Sequence, residues 1–207
     1  MSNTSATGGY LTETSSPIGI TALEDLWHDT IAGITGLDNT LVRPSRQLDP
    51  AQQPAPDVDW CAFDIMRVSS DPWPDVAHVS AGDGSDMVVD HDRYEMGAVF
   101  YGPRSDTLAG LLRRGLCVWQ NRSALRAVGI ALQSVGDPVT VPELDSLVWR
   151  QRVDLSVRFI VESRGSYAVL NLLRSTGSIN GDDGTAVAFD TKEVQPSWLM
   201  HSRSRAW

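Results

Sequence analysis

The chain has 207 residues, 42% of them hydrophobic and 21% charged, enough for one domain with a full core and too few for two large ones. Its 26 acidic and 17 basic side chains leave a net charge of −9, which argues against a sequence-independent grip on nucleic acid, because that needs clustered Lys and Arg. The positive charge is almost all arginine, with Lys192 the single lysine, a bias that a GC-rich genome explains better than selection for bidentate contacts.

Residues 1–17 are rich in Ser, Thr and Gly, and residues 1–19 are expected to form a flexible tail. They show neither a basic segment nor an apolar one of the kind a signal peptide carries, and no apolar run approaches the roughly 18 residues of a membrane span. The expectation is a soluble protein used without export. A single α/β domain is predicted over residues 20–192. It opens with a helix: Thr21 and Glu24 have capping-box spacing, Leu23, Leu26, Trp27, Ile31 and Ile34 share one face, and Gly36 is placed to end it. Residues 37–58, with four prolines, read as a long loop or arm.

A strand follows at 60–68, then a loop over 69–86. A second strand at 87–101 alternates Tyr94, Met96, Ala98 and Phe100 with Arg93, Glu95 and Gly97, and stops at Gly102-Pro103. A helix is predicted from Ser105 or Asp106, with Leu108, Leu111, Leu112, Leu116 and Trp119 on a core-facing stripe. Asn121 is expected to cap a short second helix with Ala124, Leu125 and Val128 inward, followed by a strand at 130–135 and a Pro-containing connection over 136–146. A long strand then buries Val153, Leu155, Val157, Phe159 and Val161 and leaves Arg152, Asp154, Ser156, Arg158 and Glu162 wet, with Ile160 breaking the polar side. Two further strands, 167–173 and 185–189, are predicted to meet across the NGDDG turn, and residues 193–207 form a C-terminal tail carrying Trp198 and Trp207. These elements specify an α/β (α+β) fold, a mixed and largely antiparallel sheet with helices packed on one face.

Residue types for chemistry do not converge. His28, His78, His91 and His201 are scattered without metal-ligand spacing, and His28 reads as a surface or core-edge residue. The stretch Asp83, Asp86, Asp90, His91, Asp92 is the best metal candidate, but it lacks EF-hand spacing and reads better as a solvated turn leading into a strand. Cys61 and Cys117 fit no metal motif and are expected to be buried thiols. There is no nucleophile elbow, P-loop or dinucleotide fingerprint. No catalytic, cofactor-binding or metal-ligating residue is therefore assigned.

The aromatic residues carry more. Tryptophan is most often core, yet with arginine it also leads the composition of interface hot spots. Trp119 with Arg122 follows the main helix, and Trp149 with Arg150 and Arg152 opens the long strand, both at the ends of elements where a neighbouring subunit would meet them. These five are the candidate subunit-interface residues.

The segment as a whole resembles the neck or tail terminator proteins of tailed bacteriophages. The resemblance rests on the strand ending YGP at 101–103 with a helix directly after it, on LLRRGLCVWQNRSALRAVGIALQSVGDP at 111–138, on VPELDSLVWRQRVDLSVRFIVES at 141–163, and on AGITGL at 32–37. It covers roughly residues 20–180. The resemblance implies a non-enzymatic virion protein without cofactor, assembled in the host cytoplasm into a ring, commonly a homohexamer, on the tail tube. It also implies as partners the tail-tube protein, the head connector or stopper, and genomic DNA passing through the lumen without specific binding. The alternatives are another neck or tail component and, further off, a small metal-dependent phage enzyme using Asp83–Asp92.

Overall fold

The computed structural model describes residues 3–14, 17–47, 52–145, 148–172, 174–182 and 185–192. In chain order the elements are α1 (Ile20–Thr35), β1 (Val42–Pro44), β2 (Trp60–Ser69), β3 (Asp75–Val79), β4 (Ser85–Tyr101), α2 (Ser105–Gly115), α3 (Ser123–Ala127), β5 (Ile130–Val135), β6 (Val139–Thr140), β7 (Glu143–Asp145), β8 (Val148–Arg150), β9 (Arg152–Tyr167), β10 (Arg174–Asn180) and β11 (Ala186–Lys192). Single 3-10 turns stand at Asn39–Leu41 and Gln120–Arg122. The chain divides into two compact units, the larger from residues 13–77 and 87–166, the smaller from the described parts of 1–12, 78–86 and 167–207.

The main sheet runs β1-β2-β4-β9-β5, with β3 on β4 and β6 on β9. The pairings of β2 with β4 and of β9 with β5 and β6 are antiparallel, and β1 is parallel to β2, so the sheet is mixed and largely antiparallel as the alternation predicts. One face is apolar. Phe63 and Ile65 of β2, Met96, Ala98 and Phe100 of β4, and Val153, Leu155, Val157, Phe159 and Val161 of β9 are buried in one cluster with Leu23, Trp27 and Ile31 of α1 and Leu108 and Leu112 of α2. Period-2 strands and period-3.6 helices each offer one apolar side, and the layer closes by joining them. The opposite face carries polar cross-strand pairs such as Arg158 to Glu95 at 3.0 Å.

Two strands carry a bulge. The β2–β4 register shifts between Arg67 and Ser69, and the β5–β9 register between Leu132 and Ser134, leaving Gln133 of β5 without a partner in the ladder. β5 lies at one margin of the sheet, and the three-residue β1 ends the other on Pro44.

Helix α1 ends as its sequence predicts. Gly36 adopts φ 72°, and its N–H donates to the Ala32 carbonyl at 2.8 Å. The capping box does not form: Gly19 occupies the N-cap position and no side chain caps it, because the helix begins at Ile20, one residue before Thr21. Within α1, the Thr30 and Thr35 hydroxyls donate to the carbonyls four residues back, so both burials are satisfied locally.

His28 fastens α1 to the turn after it, with Nε2 3.0 Å from the Asn39 carbonyl and Nδ1 3.0 Å from Asp29. Burial lowers its pKa, but the Asn39 hydrogen bond and the Asp29 carboxylate outweigh this and leave it raised. A raised folded pKa stabilises below the unfolded value of about 6.5, and the contribution fades as pH rises through the folded pKa. Melting measured between pH 5.5 and 8 should therefore show wild type losing more stability across that window than His28→Gln. An equal loss in both removes His28 from the pH dependence.

Several elements differ from the sequence expectation. The 37–58 loop contains β1, and the 69–86 loop contains β3, whose five residues are all exposed. Both strands are too short to display an alternation. The helix read through Trp119 stops at Gly115, so Trp119 is 66% exposed; of the predicted stripe Leu108, Leu112 and Leu116 are buried, and Leu111, within the helix, is 38% exposed. Arg104, not Ser105 or Asp106, holds the N-cap position of α2. Asn121 does not cap α3; its side-chain NH2 donates to the Gly115 carbonyl at the end of α2, and of the three residues expected inward only Leu125 is buried. The 136–146 connection holds β6 and β7, and Trp149 belongs to β8, which pairs with β7 in a separate ribbon instead of opening the long strand.

In the smaller unit, the hairpin predicted across 180–184 forms between β10 and β11, closed by the Gly181 N–H on the Thr185 carbonyl at 2.7 Å. Its first strand is Arg174–Asn180, later than the 167–173 expected, and Tyr167 ends β9. Asn171 binds this unit together: its side-chain NH2 donates to the Ser80 and Gly82 carbonyls and its N–H to the Asp83 carbonyl. In the segment read as a flexible tail, the Ser5 N–H donates to the Ala168 carbonyl at 3.0 Å. Trp198 and Trp207 lie outside the described residues.

Candidate interaction surface

Charge density and aromatic exposure single out the stretch after α2. Gly115 ends the helix, and the chain turns so that Val118 and Trp119 point outward, 51% and 66% exposed. The guanidinium of Arg126 lies over the Trp119 ring, 3.2 Å from its centroid, and that of Arg122 lies 5.8 Å from it. Cation–π contacts at exposed sites contribute roughly 0.5–1 kcal/mol each, enough to favour this arrangement of the indole and the two cations. The Nε of each arginine is covered and meets no hydrogen-bond acceptor among the described residues. The result is an exposed aromatic surface edged with positive charge.

Arg126 was not among the sequence candidates, although a signal was available: it stands seven residues after Trp119 and four after Arg122, on the same flank of one helical turn and the next. Of the five predicted residues, the structure joins Trp119 to Arg122 and leaves the other three on different elements. Trp149, 70% exposed, and Arg150 belong to the β7–β8 ribbon. Arg152 opens β9 and is engaged within the chain, with Nε and one terminal nitrogen on Asp154 at 2.8 and 2.9 Å and the other terminal nitrogen on Glu143 at 3.2 Å. Its hydrogen bonds to Asp154, against the cost of burial, raise its pKa further and keep it a fixed cation.

The acidic stretch disperses into separate pairs. Asp86 meets His78 at 2.7 Å, His91 meets Asp71 at 2.9 Å, and the buried Asp92 accepts from Ser70 and pairs with Arg67 at 2.9 Å. Among the described residues no group of three or more His, Cys, Asp or Glu is placed to hold a metal ion. Nor is any helix among them long and apolar enough to cross a membrane.

The sequence matches the phage neck terminator protein family over residues 21–184. The chain belongs to this family. No curated protein gives a significant match. The match runs from the first turn of α1 through β10 and ends before β11. Phage neck terminators are structural components of the virion, so contact surfaces are where function is to be sought in this family member.

Cys61 and Cys117 differ in a way that makes the surface measurable. Cys61 is fully buried, and burial pushes its thiol far above the ordinary range, whereas Cys117, expected to be buried, is exposed because the helix has already ended. A thiol-specific chromogenic reagent should titrate one thiol in the native terminator and two in denaturant. Two reactive thiols in the native state would mean that the sheet core opens.

Proposed function

We propose that this terminator assembles as a ring, commonly of six copies, on the head-proximal end of the tail tube, where it stops tube growth and presents a docking surface to the head connector or stopper. The observation that carries the reading is membership of the neck terminator family across residues 21–184. Two features support it. The core is a layered scaffold, and Trp119 and Trp149, like Tyr10 and Trp73, are large aromatics exposed outside it. A closed ring needs two different complementary patches on each subunit, and exposed Trp and Arg are the residue types that concentrate binding energy in such patches. Trp119, Arg122, Trp149, Arg150 and Arg152 are the proposed contact residues, Arg152 through the carboxylates it already orders.

The net charge of −9 fits a second element of the same reading. Genomic DNA passes through the neck, and a lumen lined by carboxylates repels phosphate and gives no sequence-independent hold. Imaging of whole particles, with this chain traced in the density, tests the proposal. One ring between connector and tube is the expected result. A chain repeated along the tail would make it a tube subunit, a chain absent from virions would end the terminator role, and a ring with a net basic lumen would remove the electrostatic element.

A further inference from the structure

Charge is divided along the chain. Residues 1–42 contain Glu13, Glu24, Asp25, Asp29 and Asp38 and no Lys or Arg, whereas residues 107–129 contain Arg113, Arg114, Arg122 and Arg126 and no acid. The fold places α1 of the first stretch beside α2 and α3 of the second in one helical layer. A groove between them is lined by Leu26, Asp29, Thr30, Gly33 and Ile34 from α1 and by Asn121 and Ala124 from the α3 side.

Helical geometry then sets the orientation of both. At 100° per residue, Arg122 and Arg126 share one flank, and Ala124, two residues from each, takes the opposite one. Since Ala124 faces α1, the two arginines and the Trp119 ring between them face away from it. On α1, Leu26, Thr30 and Gly33 face the groove, so Glu24 and His28, two residues from Leu26 and Thr30, stand on the flank away from α3. His28 reaches Asn39 on that flank, beside Asp38, whose carboxylate is held charged by hydrogen bonds from the Thr40 hydroxyl and N–H. The layer therefore ends in an acidic flank toward β1 and a basic aromatic flank toward β5, the two margins of the sheet.

We propose that the Trp119–Arg122–Arg126 flank of one copy receives the acidic Glu24–Asp38 flank of a second copy, head to tail. The inference rests on the ring reading and adds to it which surfaces meet. Two unlike patches at opposite ends of one layer make a heterologous contact, the kind that generates a ring when its rotation closes. Charge complementarity selects the occupant. Arg114, Arg122 and Arg126 have no ion pair among the described residues, and the same chain supplies a flank on which Glu24 and Asp38 outweigh Arg43, whose Nε donates to the Thr40 carbonyl at 2.8 Å. Trp119 supplies the apolar anchor that a charge pair alone lacks.

The chain contains its own probe. Cys117 and Arg122 line one shallow depression over β5, and Cys61 is buried and inert. In Glu24→Cys, a short bis-maleimide should join Glu24→Cys of one copy to Cys117 of the next and give a ladder of multimers, and Cys117→Ser in the same background should abolish it. Independently, Arg122→Glu with Arg126→Glu should weaken self-association by at least about tenfold at low salt, and adding Glu24→Arg should restore part of it. Physiological salt should weaken the wild-type contact as well.

A ladder that persists without Cys117, or association indifferent to charge reversal, overturns the pairing. So does a wild-type chain that stays monomeric at low salt. None of these touches the ring itself, which particle imaging judges separately, so the two readings fail by different results.

Discussion

Trp27→Ala should lower the unfolding free energy by about 3–5 kcal/mol, the range for removing a large aromatic from a core that cannot collapse around the gap. Trp27 is fully buried at the centre of the layer, its ring 5.0 Å from Phe159 of β9, and Phe159 in turn stacks on Tyr94 of β4 at 5.5 Å. One indole thus joins the helix to the two central strands. Its Nε1 is buried without a hydrogen-bond partner among the described residues, so the N–H contributes nothing that phenylalanine would lose. Trp27→Phe should therefore retain most of the stability. Chemical denaturation of both variants checks the claim. A Phe variant as weak as the Ala variant would show that a polar contact, and not packing, fixes α1.

Gly102→Ala should be nearly as damaging although it adds a single methyl group. Gly102 has φ 100°, and a Cβ there would meet the backbone of Val58 and Asp59 at 2.7 Å. The left-handed conformation costs a side-chain-bearing residue about 1–3 kcal/mol, and the overlap adds about 1–3 kcal/mol more. The position cannot relax easily, because Asp59 is already committed: one carboxylate oxygen accepts the Arg104 N–H at 2.8 Å and the other the Arg104 Nε at 2.7 Å. Here β4 turns into α2, so the strain would tilt the helix carrying Leu108 and Leu112 off the sheet. A melting temperature within a degree or two of wild type would refute this account of the turn.

The strand-turn-helix around Gly102 was legible in the sequence because each of its parts has a local physical signature. Tyr94, Met96, Ala98 and Phe100 alternate, Gly102-Pro103 interrupts, and Leu108 and Leu112 recur at helical spacing. The long β9 was legible for the same reason, and so was the fold class. What stayed hidden depends on neighbours far along the chain. β1 is three residues, Val42–Pro44, held by a parallel pairing to β2 that no local pattern announces. β3 is wholly exposed and so has no apolar side to alternate.

The candidate surface was half legible. Trp119 and Arg122 were marked by composition at the end of an element. The same Trp119 was also read as the end of the leucine stripe that buries Leu108, Leu112 and Leu116, because a period continued past Gly115 looks identical whether the helix continues or stops. Only the turn after Gly115, fixed in part by Asn121 on the Gly115 carbonyl, sends the indole outward and brings Arg126 over it. Trp149 was misplaced for a related reason: β7 and β8 are three residues each, and their pairing is invisible until the chain folds back.

The unpartnered Gln133 in β5 has a consequence for how many copies can join. A straight marginal strand is a template: any extended chain can add to it, leave a new open margin, and let the process repeat without end, the route to fibrils. The bulge breaks the spacing of the backbone groups on that side, and Pro44 at the opposite margin removes a donor. Both margins of the main sheet are thus poor templates for backbone pairing, so copies that joined there would have to meet through side chains, whose fixed angles would let an assembly stop at a definite number.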